Sequence, residues 1–218
     1  MTSLAEIEDS GKMVLILSPN SLGKRGSTML PSHSNVALKE WAVTVEALER
    51  GSQILLLRKG GISEESRDFR PIHSQFLLYP TFEHQRPELM KPHFAQTLQT
   101  TLDSKPDSST VTFTHWAELK EAIELTDQAV MGRISEFHIW SDDYAESRLR
   151  WKPRSPLTAM LLRVYRLGKP QQIPYHSSFG GCKSWVQLES DIALGDLTPV
   201  ISNEEFQSTE SAIKRAAC

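Results

Sequence analysis

Cysteine is scarce, with two in 218 residues, Cys182 and the terminal Cys218. That excludes a disulfide-stapled scaffold, and a chain of this length buries enough apolar surface to fold without one. The pair suits a reducing compartment. Long apolar runs are missing too. None approaches the ~20 residues of a membrane span. Met13–Leu17 is too short for a signal core, and Glu6, Glu8 and Asp9 stand where a secretory signal carries positive charge. The expected compartment is therefore intracellular and soluble, cytoplasmic, with a plastid as the alternative for a plant source; no membrane partner is expected. There is also no excess of basic charge. A formal net charge of −3 excludes a surface that is basic all over, though not a local basic face.

Several catalytic signatures are lacking. Gly23-Lys24-Arg25-Gly26-Ser27-Thr28 is glycine-rich but does not have the phosphate-loop spacing. There is no Gly-x-Ser-x-Gly elbow, which argues against a serine hydrolase. His73, His84, His93, His115, His138 and His176 are scattered, without zinc-site spacing, so no metal and no cofactor is expected. His84 and Glu88 are four apart, but Pro87 between them spoils a shared helical face. Val45–Gly61 faintly resembles the entry to a Nudix fold, yet the helix of paired glutamates is missing. Cys182 after Gly180-Gly181 is either a nucleophile or, more simply, core packing.

What is present is ordinary globular material, 39% hydrophobic and 23% charged. Residues 1–34, rich in Ser, Gly, Pro and Thr, read as a loosely ordered extension. From Asn35, the residues Leu38, Trp41, Ala42, Val45 and Leu48 fall on one helical face, with Asn35 as cap and Gly51 as stop. Val43-Thr44-Val45 alternates, so a strand competes. Gln53–Arg58 and Ser74–Tyr79 read as buried strands, the second ended by Pro80. Ser63–His73 between them reads as a surface loop. Pro87–Leu102 is helical in its middle, and 103–110 reads as a linker.

Val111–Phe113 reads as a short strand, followed by a helix carrying Trp116, Leu119, Ile123 and Val130. Phe137–Trp140 is strand or helix end. Asp142 and Asp143 cap a helix that Pro153 ends. Thr158–Leu167 is a strong strand, with Met160, Leu162 and Val164 on one face and Leu161, Arg163, Tyr165 and Leu167 on the other; Gly168 and Pro170 are expected to break it. Trp185–Leu188 is a last strand, and 200–218 an acidic, weakly helical tail that frays. The organisation is thus an extension at 1–34, an α+β domain at 35–199 and a tail at 200–218. Its fold class is α+β: a mixed, partly antiparallel sheet or small barrel with flanking helices.

The blocks ALKEWAVTVEALERGSQILLLRKGGI, FLLYPTFEHQ, PLTAMLLRVYRL and GGCKSWVQL together resemble the domain-of-unknown-function family 1802 of bacteria and plants, over roughly residues 36–190. The resemblance implies no activity. A weaker likeness is to the PUA-like barrels, ASC-1-homology (ASCH) relatives included, in which a helix ending in Gly precedes a strand with a basic residue, as Val45–Lys59 does here. That likeness implies a small barrel that binds RNA or modified bases.

Two polar signatures follow the first two buried strands. Arg58-Lys59-Gly60-Gly61 puts two cations beside two glycines, so backbone can approach an anion while charge neutralises it. The plain alternative is a tight turn with solvated side chains. Glu83-His84-Gln85 follows Pro80-Thr81 and could serve acid–base work, although neighbours on extended backbone point apart. The plain alternative has Glu83 paired with Arg58 or Lys59. Arg148, Arg150, Lys152 and Arg154 surround Trp151, a pattern that suits single-stranded nucleic acid or, more simply, a solvated face. Trp41 and Trp116 read as helix core.

The leading expectation is a binding module for RNA, nucleotide or another anion, with contacts from Arg58, Lys59, Gly60, Gly61, Gln85, Arg150 and Lys152. The first alternative is a hydrolase or transferase acting on a phosphorylated substrate, with His84 and Glu83 catalytic. The second is a scaffold with no small-molecule site.

Overall fold

The computed structural model describes residues 16–17, 30–59, 71–153, 155–181 and 183–218. Most of the expected extension, Gly60, Gly61, Arg154, Cys182 and most of the 63–73 loop lie outside the described residues. In chain order the elements are β1 (Ile16–Leu17), β2 (His33–Trp41), α1 (Ala42–Glu49), β3 (Leu55–Arg58), β4 (Gln75–Thr81), α2 (Ala95–Asp103) and β5 (Thr110–Leu125). There follow α3 (Gln128–Ile134), α4 (Asp142–Arg150), β6 (Leu157–Pro174), β7 (Trp185–Ala193), β8 (Thr198–Pro199) and α5 (Asn203–Ala217).

The strands form one open, mixed sheet ordered β3-β6-β5-β4-β2-β7, with β1 added to β5 and β8 to β6. β2 runs parallel to β4, and every other pairing is antiparallel. Alternate side chains enter different cores. Leu38, Leu56, Phe76, Leu78, Met160, Leu162 and Val164 meet on one face, with Val45 and Leu48 of α1. Leu55, Ala159 and Leu161 turn to the other and pack under the helices with Leu98, Ile134 and Ile213. Farther along that face, Ala37, Leu77, Phe113 and Trp116 meet Leu188 and Leu194. Burying each large aliphatic side chain stabilises by about 1.5–3 kcal/mol.

The α+β class with a partly antiparallel sheet is what the structure has. Several local expectations are corrected. Residues 35–41 are strand, not helix: Leu38 and Ala37 are both fully buried, on opposite faces, so the segment carries no period-two pattern. α1 begins only at Ala42 and ends as expected at Gly51, whose φ of +71° suits glycine and whose missing Cβ makes room for the Ile201 side chain. Pro80 does not stop β4; the strand runs on to Thr81, with Pro80 beside Glu40 in the parallel ladder. Pro87 and Pro92 each open a short 3-10 turn, so α2 starts only at Ala95.

The expected strand Val111–Phe113 and helix from Trp116 are one 16-residue strand, β5. Two register irregularities, at Phe113/His115 and Leu119/Glu121, shift its phase and leave apolar residues three apart, which imitates a helix. Val130 sits in the separate helix α3. Gly168 and Pro170 do not break β6, which continues for 18 residues opposite β5. Residues 203–217 form a packed helix whose Phe206, Ile213 and Ala217 are buried, capped by the Ser202 hydroxyl accepting from Glu205 N–H. α4 begins at Asp142, but its cap is Ser141, whose hydroxyl accepts from Tyr144 N–H, and the two acids expected to cap it occupy the first turn.

Candidate functional site

The tips of β3 and β2 come together through one carboxylate. Glu40, 8% exposed, follows the buried pair Ala37-Leu38 at the end of β2. Its Oε1 accepts from Trp41 N–H at 2.8 Å, and its Oε2 accepts from Arg58 at 2.8 Å. The Arg58 guanidinium, 16% exposed, also donates to the Lys39 carbonyl at 3.3 Å and the Ser184 hydroxyl at 2.6 Å. A planar five-donor fork is suited to such a junction. Arg58 thereby fastens the edge strand β3 to β2 and to the entry of β7.

Lys59 takes a different course. It is 3% exposed, and its ammonium donates to the Leu149 carbonyl in the last turn of α4. A cation there satisfies a carbonyl that the helix leaves open and complements the helix dipole. This tether holds α4 against the end of β3.

A second device places the aromatic groups. The buried Gln53 donates to Leu55 O at 2.9 Å and accepts from Ile139 N–H at 3.1 Å. Lys91 N–H donates to Ile139 O, and the Lys91 ammonium to His138 O at 2.7 Å. Met90 bridges Trp140. The segment 138–140 is thus pinned from both sides, neither plain strand nor helix end. It sets Trp140 edge-on to Trp41, ring centres 5.0 Å apart, and Tyr144 near parallel to Trp41 at 6.1 Å. Burial raises the Tyr144 pKa; Glu40 adds to this, while Arg148 and Arg58 pull against it.

Around these groups lies an open cavity of about 410 Å³. Arg58, Lys59, Glu83 and His84 all line it, so the ends of the first two predicted strands do share one hollow. Glu83 and His84 are exposed in a turn after β4, and His84 has φ +61°. Glu83 does not pair with Arg58 or Lys59 as the plain alternative had it; Arg58 takes Glu40, and Lys59 takes a carbonyl. Gln85 lies outside the lining. Its Oε1 accepts from Val43 N–H at 3.0 Å, satisfying the first turn of α1.

Arg150 and Lys152 also lie outside the lining: Arg150 pairs with Glu146 one turn back, and Lys152 sits over the Trp151 ring at 4.5 Å. Trp41 and Trp116 are strand residues rather than helix core. Sequence reasoning missed Lys183, Trp41, Trp140 and Tyr144 as cavity residues, and took Arg148 only as one of a charged run. Neither Arg148 nor Lys183 makes an ion pair among the described residues; Arg148 sits over Trp151 at 4.9 Å. The only signal for Arg148 was its cluster, and for Lys183 its place after a glycine pair.

Beside this cavity lies a second, about 560 Å³, sharing Lys39, Thr81, Glu83 and Gly181 with it. The Lys39 ammonium donates to Phe179 O at 2.6 Å and Gly181 O at 3.0 Å, which fixes the glycine loop between the two. Tyr79 stands in this second cavity, its pKa pushed up to about 12 by burial, with Tyr175 and Glu83 adding. Among the described residues no group of three or more His, Cys, Asp or Glu is placed to hold a metal, and no helix is long and apolar enough to cross a membrane.

No curated protein matches the chain in sequence. Crystal structures of ASCH from Zymomonas mobilis are distantly similar, at 14% identity and TM-score 0.38. The alignment covers 81% of this chain and 93% of that one for the protein itself, and 84% and 98% for a serine-to-alanine mutant. A family described as a domain of unknown function, DUF1802, matches residues 37–212, and over that span, from β2 into α5, the chain belongs to it.

Proposed function

We propose that the protein is a non-catalytic binding module for an anionic ligand, single-stranded RNA or a nucleotide, taken up in the cavity at the ends of β2, β3 and β4. One observation carries this reading. Arg148 and Lys183, which make no ion pair among the described residues, border the same cavity as the rings of Trp41, Trp140 and Tyr144. Cations that neutralise phosphate beside rings that stack bases are the two parts such ligands need. Arg58 and Lys59 serve the site by holding its walls. Gly60 and Gly61 remain the proposed point of close backbone approach, and Glu83 and His84 the readers of polar edges. A stacked base contributes about 1–3 kcal/mol, and a hydrogen bond from a charged group about 1.5–3 kcal/mol.

The test is titration with uridine monophosphate and with a labelled RNA hexamer. The protein is expected to bind, more weakly as salt rises. Replacing both cations, Arg148→Ala with Lys183→Ala, is expected to lower affinity about tenfold or more with the melting temperature held. Unchanged binding in that double variant defeats the reading.

A second reading rests on the left-handed backbone of His84 at the cavity mouth. There the protein is a hydrolase or transferase acting on a phosphorylated substrate, with His84 as acid–base. His84→Ala then abolishes turnover of a phosphorylated substrate while the fold persists; absence of any turnover in the native protein leaves the binding module standing.

A further inference from the structure

The second cavity is unused by the proposed function. Its exposed wall is Tyr175, 44% of whose surface is open, one of only three large apolar or aromatic side chains so exposed among the described residues. The ring is held in place. It meets Phe179 edge-on at 6.2 Å, and its hydroxyl lies 3.0 Å from where a Cβ at position 180 would stand, so Gly180 leaves it room that a side chain would crowd. Lys105, on the loop after α2, borders the same cavity and makes no ion pair among the described residues. An open, positioned ring beside a cation repeats, one cavity farther on, the combination found in the first.

Each cavity alone has the size of a site for one small ligand. Two such cavities that share a wall suit a ligand made of repeated units, each with a flat ring and an anionic link. Resting on the binding reading above, we propose that the ligand is a nucleic-acid strand of at least two residues, not a mononucleotide. One base stacks against Trp41 or Tyr144, the next lies on Tyr175, and Lys105 meets the backbone beyond. Glu83, on the shared wall, stands between the two bases, where its carboxylate accepts from a base N–H, in uracil the ring N3–H, and not from phosphate.

Length dependence tests this separately from the function itself. Fluorescein-labelled uridylate chains of one, two and six residues, in ribo and deoxyribo form, are titrated into the full-length protein and followed by anisotropy. Going from one residue to two is expected to tighten binding about tenfold, and six to add less. Tyr175→Ala is expected to remove most of the gain. Lys105→Glu, an exposed change that the fold tolerates, is expected to lower hexamer affinity severalfold and to flatten its salt dependence. A gain with length in either sugar series that Tyr175→Ala or Lys105→Glu reduces supports the inference. Equal affinity for one and two residues in both series, or a hexamer affinity untouched by Tyr175→Ala and Lys105→Glu alike, overturns it while leaving a mononucleotide module intact. No binding of any chain length defeats the function itself.

Discussion

The cavity has a locked side and an open side, and both are built from the same residue types. On the locked side, Arg58 spends its donors on Glu40, Lys39 O and Ser184, and Lys59 spends its charge on Leu149 O. On the open side, Arg148 and Lys183 border the same space without an ion pair among the described residues. Adjacent cations at a strand end look like a ligand grip in a sequence. In the fold they are fasteners, because an edge strand needs its end secured and a helix end needs its carbonyls met. The cations that border the cavity without an ion pair among the described residues come from positions with no sequence relation to each other. Three measurements would break or sharpen this contrast.

The largest effect is expected behind the locked side, at His138. It is 3% exposed, and burial first, then the Lys91 charge, push its pKa from 6.5 down to about 4, against a smaller pull from Asp142 and nearby backbone. A folded pKa below the unfolded one means the unfolded chain takes the proton first as pH falls. Stability is therefore full above about pH 6.5 and is lost progressively toward pH 4, by about 3 kcal/mol. Urea unfolding across that range checks it, and His138→Gln should flatten the slope. An equally steep slope in the variant would move the titration elsewhere.

Next in size is Arg58→Ala. It leaves the Glu40 carboxylate nearly buried with only the Trp41 N–H, and removes the link between β3 and β2. Stripping one partner from a well-buried pair costs about 3–5 kcal/mol; with Arg58 partly open to water, about 2–3 is expected, read as a fall in the urea midpoint. A loss below about 1 kcal/mol would place Arg58 with the open side after all.

How much of this could be read from the chain follows from the same contrast. Leu55–Arg58 and Phe76–Tyr79 were legible because each is a short apolar run between breakers, and the α4 start because Asp142 and Asp143 mark its first turn, although the cap is Ser141. The two faces of β6 were legible because its first half is regular. β2 was not, since both its faces are buried, and β5 was not, since its register slips twice. Residues 203–217 read as a fraying tail because their acids dominate the pattern; only packing of Phe206 and Ile213 shows the helix to be part of the core. At the site, Arg58, Lys59, Glu83 and His84 reach one cavity because strand ends gather at one end of a sheet. The ring cluster of Trp41, Trp140 and Tyr144 depends on Gln53 and Lys91 pinning a segment some 40 to 90 residues away in sequence, which no local pattern encodes.

The smallest effect belongs to the open side and is the most direct test of its openness. His84 sits at φ +61°, exposed, in the turn that borders both the cavity and its mouth. An L-residue in that region costs roughly 1–2 kcal/mol, and histidine tolerates it better than most. Glycine would relieve the cost but would loosen the unfolded chain by roughly 0.5–1 kcal/mol. The two terms nearly cancel, so His84→Gly should change the unfolding free energy by less than about 0.5 kcal/mol if the imidazole makes no interaction that the fold depends on. A loss above about 1 kcal/mol would mean that the ring is engaged in the folded protein, and that the mouth of the cavity is fastened in the same way as its floor.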